Sequence, residues 1–488
     1  MVFDLGKKYI QEKEYNKALS YFLNELENGN KTANIYYLLG FIYYSLNQIQ
    51  NSINYYKLAL KINPKSIDLI LHLANAHTVI GNFLSAKKLC LKAINLDKFN
   101  PKAYYSLYMI KPQYLTSEHI LNLIEAKKRN INLHESYLIE YLLSKNAKKN
   151  ENYEIEIKHL HKFQSDCFNF RKDFNLQGLF YYNNIISKHY HKINFINSFS
   201  KEIELKNISP IFIIGLPRSG STLIETLISS ADCDVMSLGE TSIFNTEIFS
   251  QIKNYVYKSN FDLKNYTLNL DVTKLQKNIN NRYLNYFKNK DKQFFFVDKS
   301  LENFFNIEII LKVFPNAKFV YSKRNYQDSV IGIYQSMLPD FPWAHSIENI
   351  LNYVNSCIEI TDYYKKKFPD KILSIDLENL TNEKEFYSKS CIEITDYYEK
   401  KFPDKILSID LENLTTEQEF YSKKIFEFCK LPWSAQILKF YKKKDLVVKT
   451  LSNVQLRSQI SAYDKKKYKP YEKLLDNFKD KYTWLNNC

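Results

Sequence analysis

Residues 212–227 read FIIGLPRSGSTLIETL. An apolar run stops at Gly215, crosses a short loop and enters a pattern that predicts an amphipathic helix from Ser221. Gly215, four residues, Gly220 and then Ser221 and Thr222 give the spacing of a phosphate-binding loop, with serine where a nucleotide triphosphatase carries lysine. A loop leading into a helix N-terminus offers unpaired N–H groups and the positive end of a dipole, which together suit an anion. Here Ser221 supplies a neutral donor and Arg218 supplies charge from inside the loop. That pairing suits a shorter anion than a triphosphate, handled without a metal.

Downstream, the texture continues as short apolar strands separated by helical patterns. Strands are expected at 211–214, at 294–297 running out at Asp298 and Lys299, at 318–322 just before Arg324, and at the segment KILSID. This alternation predicts a parallel sheet covered on both faces, with ligands at the carboxyl ends of the strands. Arginine usage points to the same ends. Of 68 basic residues only six are arginine: Arg129, Arg171, Arg218, Arg282, Arg324 and Arg457. Where lysine is the default cation, an arginine suggests a need for a planar two-pronged donor, as phosphate requires. Two arginine-bearing sites at neighbouring strand ends suit a nucleotide phosphorylated at both ends.

Composition bounds the alternatives. The chain has 488 residues, enough for two or three cores, with 45% hydrophobic and 25% charged residues, the balance of a soluble globular protein. No apolar run reaches the roughly 18 residues that span a bilayer, and the first residues lack the basic and apolar regions of a signal peptide. Seven cysteines without a CxxC pair argue against a disulfide framework or a zinc site. A cytoplasmic protein without a bound metal is therefore expected. The net charge of +15 follows the general abundance of lysine, so nucleic acid is not an expected partner. Two HxH pairs, His159/His161 and His189/His191, are expected to be surface histidines, because residues two apart on a helix point in different directions.

A period of 34 residues marks the first hundred. Residues 33–66 place Leu39, Gly40, Tyr43, Tyr56, Ala59 and Pro64, and residues 67–100 place Ala74, Gly81, Ala86 and Ala93, at the offsets of a helix-turn-helix unit. A less complete unit precedes them, with Gly6, Ala18 and Phe22 in register. Small residues let paired helices approach, and aromatics fill the gaps between units. These units resemble tetratricopeptide repeats, which implies a solenoid whose concave surface can dock a protein or peptide. A structural spacer or a dimerisation surface fits the same pattern, and the oligomeric state stays open. Residues 101–204 continue as a divergent helical bridge, and 205–488 form the α/β domain.

A second 34-residue period has another origin. Residues 356–389 and 390–423 differ at three positions only. Each copy predicts a helix, a Phe-Pro-Asp turn, the strand KILSID and the start of another helix, so this is a recent tandem duplication inside the α/β domain. A sheet has one slot for that strand. The helix entering from 347 favours the first copy, and the segment leaving at 423 favours the second.

Several segments together resemble the tetratricopeptide-repeat sulfotransferases of bacteria, which are related to tyrosylprotein sulfotransferases. LPRSGSTLIETLIS is similar to that family's 5′-phosphosulfate loop, VDKSLENFFNIEIILKVFPNAKFVYSKRNYQDSV resembles its 3′-phosphate segment, and LENLTTEQEFYSKKIFEFCKLPW and TLSNVQLRSQI resemble its C-terminal segments. The resemblance implies a multidomain chain, an all-α repeat solenoid followed by a P-loop-like α/β sulfotransferase domain. It implies transfer of a sulfuryl group from 3′-phosphoadenosine 5′-phosphosulfate to an acceptor hydroxyl, with protein tyrosine one candidate. Arg218, Ser219, Gly220, Ser221 and Thr222 would hold the 5′-phosphosulfate, and Lys299 would stabilise charge on the bridging oxygen. Arg324 would hold the 3′-phosphate, Glu240 would be the base, Ser452 would assist at the donor, and Arg457 and one of the lysines 465–467 would add anion contacts.

Two departures stand out. Gly332 occupies the place of a serine that contacts the 3′-phosphate, with Ser329 one turn earlier as a substitute. Leu377 or Leu411 stands for a tyrosine. A non-enzymatic repeat adaptor with a degenerate transferase domain is therefore an alternative. A P-loop kinase or triphosphatase is another, with FFFVD at 294–298 as a Walker-B-like strand but without the loop lysine.

Overall fold

A computed structural model describes residues 4–12, 14–198, 208–287, 294–356, 406–443, 455–464 and 466–487. The chain divides into two compact units. The first comprises Met1–Asp166, Arg282–Asn289 and Tyr441–Gln459, and the second comprises Cys167–Asn281, Lys290–Phe440 and Ile460–Cys488.

Paired antiparallel-type helices build the first unit from its N-terminus: Asp4–Gln11 with Tyr15–Glu27, Ala33–Ser45 with Ile49–Ile62, and Ile67–Val79 with Phe83–Leu96. Caps set their starts. Thr32, Ser66 and Asn82 each accept from the backbone N–H three residues on, satisfying a donor that the first helical turn leaves over. The small residues at the repeat offsets sit where helices touch. A Cβ on Gly40 would lie 2.6 Å from the Tyr56 ring, which is itself buried. Gly40→Ala is therefore expected to cost about 1–3 kcal/mol through overpacking. A lowered urea midpoint of the full chain checks it. Of the histidine pairs, His161 is exposed as expected, and His159 pairs through Nδ1 with buried Glu140 at 2.6 Å. His189, in the second unit, is buried instead, and burial pushes its pKa down to about 4.

Five parallel strands form the sheet of the second unit, after a separate short pairing of β1 (Ile193–Ile196) with β4 (Leu268–Asp271). The strands are β2 (Ile208–Gly215), β3 (Val235–Gly239), β5 (Phe294–Asp298), β6 (Lys318–Lys323) and β7 (Ile406–Asp410), in the order β3-β5-β2-β6-β7. Central β2 is almost wholly buried, as a strand covered on both faces should be. Phe212 stacks on Phe319 at 5.5 Å between ring centroids and meets Phe244 and Phe296 edge-on. Strand β7 comes from the second copy of the duplication, since Ile406–Asp410 pairs with Phe319–Lys323. Residues 347–356 form the helix that enters the first copy; the strand of that copy lies outside the described residues.

Because all five strands are parallel, Gly239, Asp298, Gly215, Lys323 and Asp410 end at one edge of the sheet. Glu240, Lys299, Arg218, Arg324 and Leu411 each follow such an end by one to three positions.

Candidate functional site

The loop after β2 is shaped by three left-handed residues, Gly215 (φ +136°), Arg218 (φ +71°) and Gly220 (φ +90°). A Cβ at Gly215 would stand 2.5 Å from the Ser322 carbonyl oxygen, and one at Gly220 would stand 2.4 Å from Leu411 Cδ1. Both glycines therefore permit close approach as well as the turn. Arg218 has no such freedom, and neighbours hold its strained backbone. Ser219 Oγ donates to the Leu216 carbonyl at 2.7 Å, Ser322 Oγ donates to the Ser219 carbonyl at 2.6 Å, and Arg324 Nη1 donates to the Arg218 carbonyl at 2.7 Å. Ser221 and Thr222 open the helix Ser221–Ile228, so its first turn faces out of this loop.

Arg324 is thus both a loop clamp and a charge. Its Nη2 donates to the Tyr463 hydroxyl and lies 3.9 Å from Asp328. Its guanidinium sits over the rings of Tyr463 and Tyr468, 4.6 and 4.8 Å from their centroids. Nε is buried without a hydrogen-bond partner among the described residues. Burial raises the Asp328 carboxyl above its usual range against the pull of Tyr463 and Arg324. Burial would also raise Tyr468, but Arg324, Lys467 and Arg218 outweigh it and hold that phenol below its ordinary value. Lys467 lies 5.3 Å from the Tyr468 ring centroid.

Gly332 sits beneath this cluster. A Cβ there would lie 3.1 Å from the Tyr468 hydroxyl oxygen and 3.5 Å from Arg218 Cβ. The hydroxyl beside the glycine is thus that of Tyr468. Ser329 turns its own back to the Asn325 carbonyl at 2.9 Å.

Lys299 occupies the neighbouring strand end, 1% exposed, with its backbone N–H bound to the Gly239 carbonyl at 2.8 Å. Its ammonium pairs with Glu240 and stands 3.9 Å from Glu225. Burial alone would lower the lysine pKa, yet Glu225 and Glu240 outweigh it and hold it above the usual value. Glu225 accepts from Ser237 Oγ at 2.6 Å, and burial lifts its carboxyl above the usual range despite Lys299. Glu240 differs, since 48% of its side chain is exposed. One end of the ion pair is therefore fixed and the other reaches solvent. Among the described residues no group of three or more histidines, cysteines or carboxylates could hold a metal ion.

Residues 210–390 match the model of the sulfotransferase family, and residues 33–66 match that of the tetratricopeptide repeat. The chain carries a sulfotransferase-family domain behind a tetratricopeptide repeat. An uncharacterized protein of Aquifex aeolicus (strain VF5) is 29% identical over 273 residues, covering 54% of this chain and 31% of that protein. The uncharacterized protein ycf37 of Pyropia yezoensis is 33% identical over 103 residues, 20% of this chain and 58% of its own length. The chain thus spans less than two thirds of both relatives. No helix among the described residues is long and apolar enough to cross a membrane.

Within the sulfotransferase domain, Arg218, Ser219, Gly220, Ser221, Thr222, Arg324 and Gly332 converge around one loop, and Glu240 and Lys299 form an ion pair at the adjoining strand ends. Arg457 makes its contacts in the first unit. Its Nη2 donates to the Val79 carbonyl at 2.8 Å, and its guanidinium packs on Gly81 in the turn of the second repeat. Ser452 and Lys465 lie outside the described residues. Sequence reasoning missed Glu225, Tyr463, Tyr468 and strand β3. Only Glu225 carried a signal, as a lone acid in the otherwise apolar or neutral helix STLIETLI.

Proposed function

We propose that the chain is a sulfotransferase that moves a sulfuryl group from 3′-phosphoadenosine 5′-phosphosulfate to an acceptor hydroxyl. The observation that carries this is the Lys299–Glu240 pair beside an arginine-bearing loop with no lysine at its Walker position. The residues suit the donor. The loop from Gly215 to Thr222 presents a helix N-terminus and Arg218 to one anionic end, and Arg324, with a spare Nε–H, faces the other.

The donor supplies an activated sulfur–oxygen bond; the protein supplies position and charge. Glu240 accepts the proton of the attacking hydroxyl as the new sulfur–oxygen bond forms. Lys299 stabilises the negative charge that collects on the bridging oxygen as the old bond breaks, leaving the bisphosphate and a sulfate ester. Glu225 holds Lys299 in place from behind. The tetratricopeptide units are read as a docking surface for a protein partner, and cysteine usage supports a cytoplasmic setting.

Calorimetric titration of the full chain with adenosine 3′,5′-bisphosphate tests the donor site, with ATP plus magnesium as control. Tight binding without metal is expected. Binding of ATP only with magnesium would favour a kinase, and binding of neither by folded protein would favour the adaptor. Glu240→Gln is expected to keep bisphosphate affinity while kcat falls about 10²–10⁴-fold, since a positioned base contributes that much. Initial rates with labelled donor check it.

A further inference from the structure

Arg324 is 9% exposed and its Nε–H has no partner among the described residues, so the buried fork points at an acceptor that they do not supply. A phosphate oxygen is such an acceptor. Because phosphate offers acceptors only, every hydroxyl that joins Arg324 there must donate. Four hydroxyls of the cluster donate elsewhere: Ser219 to the Leu216 carbonyl, Ser322 to the Ser219 carbonyl, Ser329 to the Asn325 carbonyl and Tyr463 to Asp328. Gly332, where a serine was expected to contact the phosphate, has no side chain.

The space beside Gly332 is already taken. A Cβ on that glycine would lie 3.1 Å from the Tyr468 hydroxyl oxygen, closer than ordinary contact. Tyr468 is buried, and its ring centroid lies 4.8 Å from the Arg324 guanidinium and 6.5 Å from that of Tyr471. Packing against both partners fixes where the hydroxyl sits, and Arg324, Lys467 and Arg218 all act on its oxygen. A phenol oxygen can accept from such a cation and still donate its proton to an anion.

We infer that the Tyr468 hydroxyl binds the 3′-phosphate of the sulfuryl donor beside Arg324, and that Gly332 is the residue that makes room for it. The inference rests on the proposed donor. A serine side chain at Gly332 and the Tyr468 hydroxyl would compete for one place. The missing serine therefore marks an exchange of hydroxyls and not the decay of the site. Tyr468 binds and orients the donor and takes no part in bond making.

The test is calorimetric titration of the full chain, of Tyr468→Phe, of Gly332→Ser and of the two combined. The ligands are adenosine 3′,5′-bisphosphate and adenosine 5′-phosphate, which lacks the 3′-phosphate. Tyr468→Phe keeps the ring and its contact with Arg324 and removes only the hydroxyl. It is expected to weaken the bisphosphate about tenfold, the scale of one hydrogen bond to a charged group, and to leave adenosine 5′-phosphate within about twofold. Gly332→Ser alone should weaken the bisphosphate about threefold or more, since its Cβ presses on the Tyr468 hydroxyl. In the combined variant that oxygen is gone, and the remaining neighbours, Arg218 Cβ and Tyr468 Cζ, stand at ordinary contact distances of 3.5 and 3.6 Å. The serine then supplies the donor, and bisphosphate affinity should return to within about threefold of the unaltered protein, a strongly non-additive result. A purely structural tyrosine would affect both nucleotides alike, and that result would overturn the inference. So would a bisphosphate affinity of Tyr468→Phe within about twofold of the unaltered protein. Both results leave the donor reading standing. If the unaltered protein binds the bisphosphate no better than adenosine 5′-phosphate, the donor reading falls and the inference falls with it.

Discussion

Lys299→Met is expected to lower kcat about 10²–10³-fold, the usual cost of removing one donor aimed at developing negative charge. It should also lower unfolding stability by about 3–5 kcal/mol, because taking one partner from a buried ion pair strands the other. The two effects have separate causes and can be separated. Catalysis suffers because the bridging oxygen loses its cation. Stability suffers because Glu225, a buried carboxyl, keeps Ser237 but loses the charge opposite it. Adding Glu225→Gln removes the stranded charge while the amide oxygen still accepts from Ser237. The double variant should therefore regain much of the stability and none of the activity, a strongly non-additive result for residues in contact.

The pH dependence has a definite sign. Glu225 titrates above its unfolded value, so its contribution to stability is present at low pH and is lost as pH rises through the folded pKa. Without Lys299 the folded pKa rises further. The single variant should approach the parent in urea midpoint near about pH 5 and fall behind it near about pH 8. A kcat within about twofold of the parent would show that Lys299 does not meet the transition state.

Much of this site was legible because parallel strands bring their ends to one edge whatever lies between them. The apolar runs before Gly215, Lys299 and Arg324 needed only the rule that ligands bind where such strands end. Glu240 was singled out by the family resemblance with no strand to carry it, because VMSLG is too mixed in polarity to signal one; its burial is intermediate throughout. What packs around these ends was not legible. Tyr463 and Tyr468 reach Arg324 from more than 130 positions away, and in a chain with 39 tyrosines nothing marked these two. The two copies of KILSID could not be told apart, since every strand-forming residue is the same in both. Arg457, as scarce as Arg218, uses its fork on a backbone carbonyl in the repeat unit.

Arg324→Lys is expected to weaken adenosine 3′,5′-bisphosphate binding about 10²-fold, within the range for truncating one partner of a hydrogen-bonded charge pair. Lysine keeps the charge but has no fork. Arg324 needs three directions at once: Nη1 to the Arg218 carbonyl, Nη2 to Tyr463 and Nε free for a phosphate oxygen. An ammonium that holds the loop gives up the phosphate, and one that meets the phosphate releases the left-handed Arg218. Tyr463→Phe separates these demands, because it removes the Nη2 acceptor, and with it the hydrogen bond that the same hydroxyl donates to Asp328, and leaves the other two directions untouched. Its affinity should stay within about threefold of the parent, as Asp328, 3.9 Å from Nη2, is left to accept from that nitrogen. Isothermal titration of the three proteins gives the ordering. An affinity for Arg324→Lys within about twofold of the parent would mean that the bisphosphate does not use this arginine, and the anion site would then have to be sought around Arg218 alone.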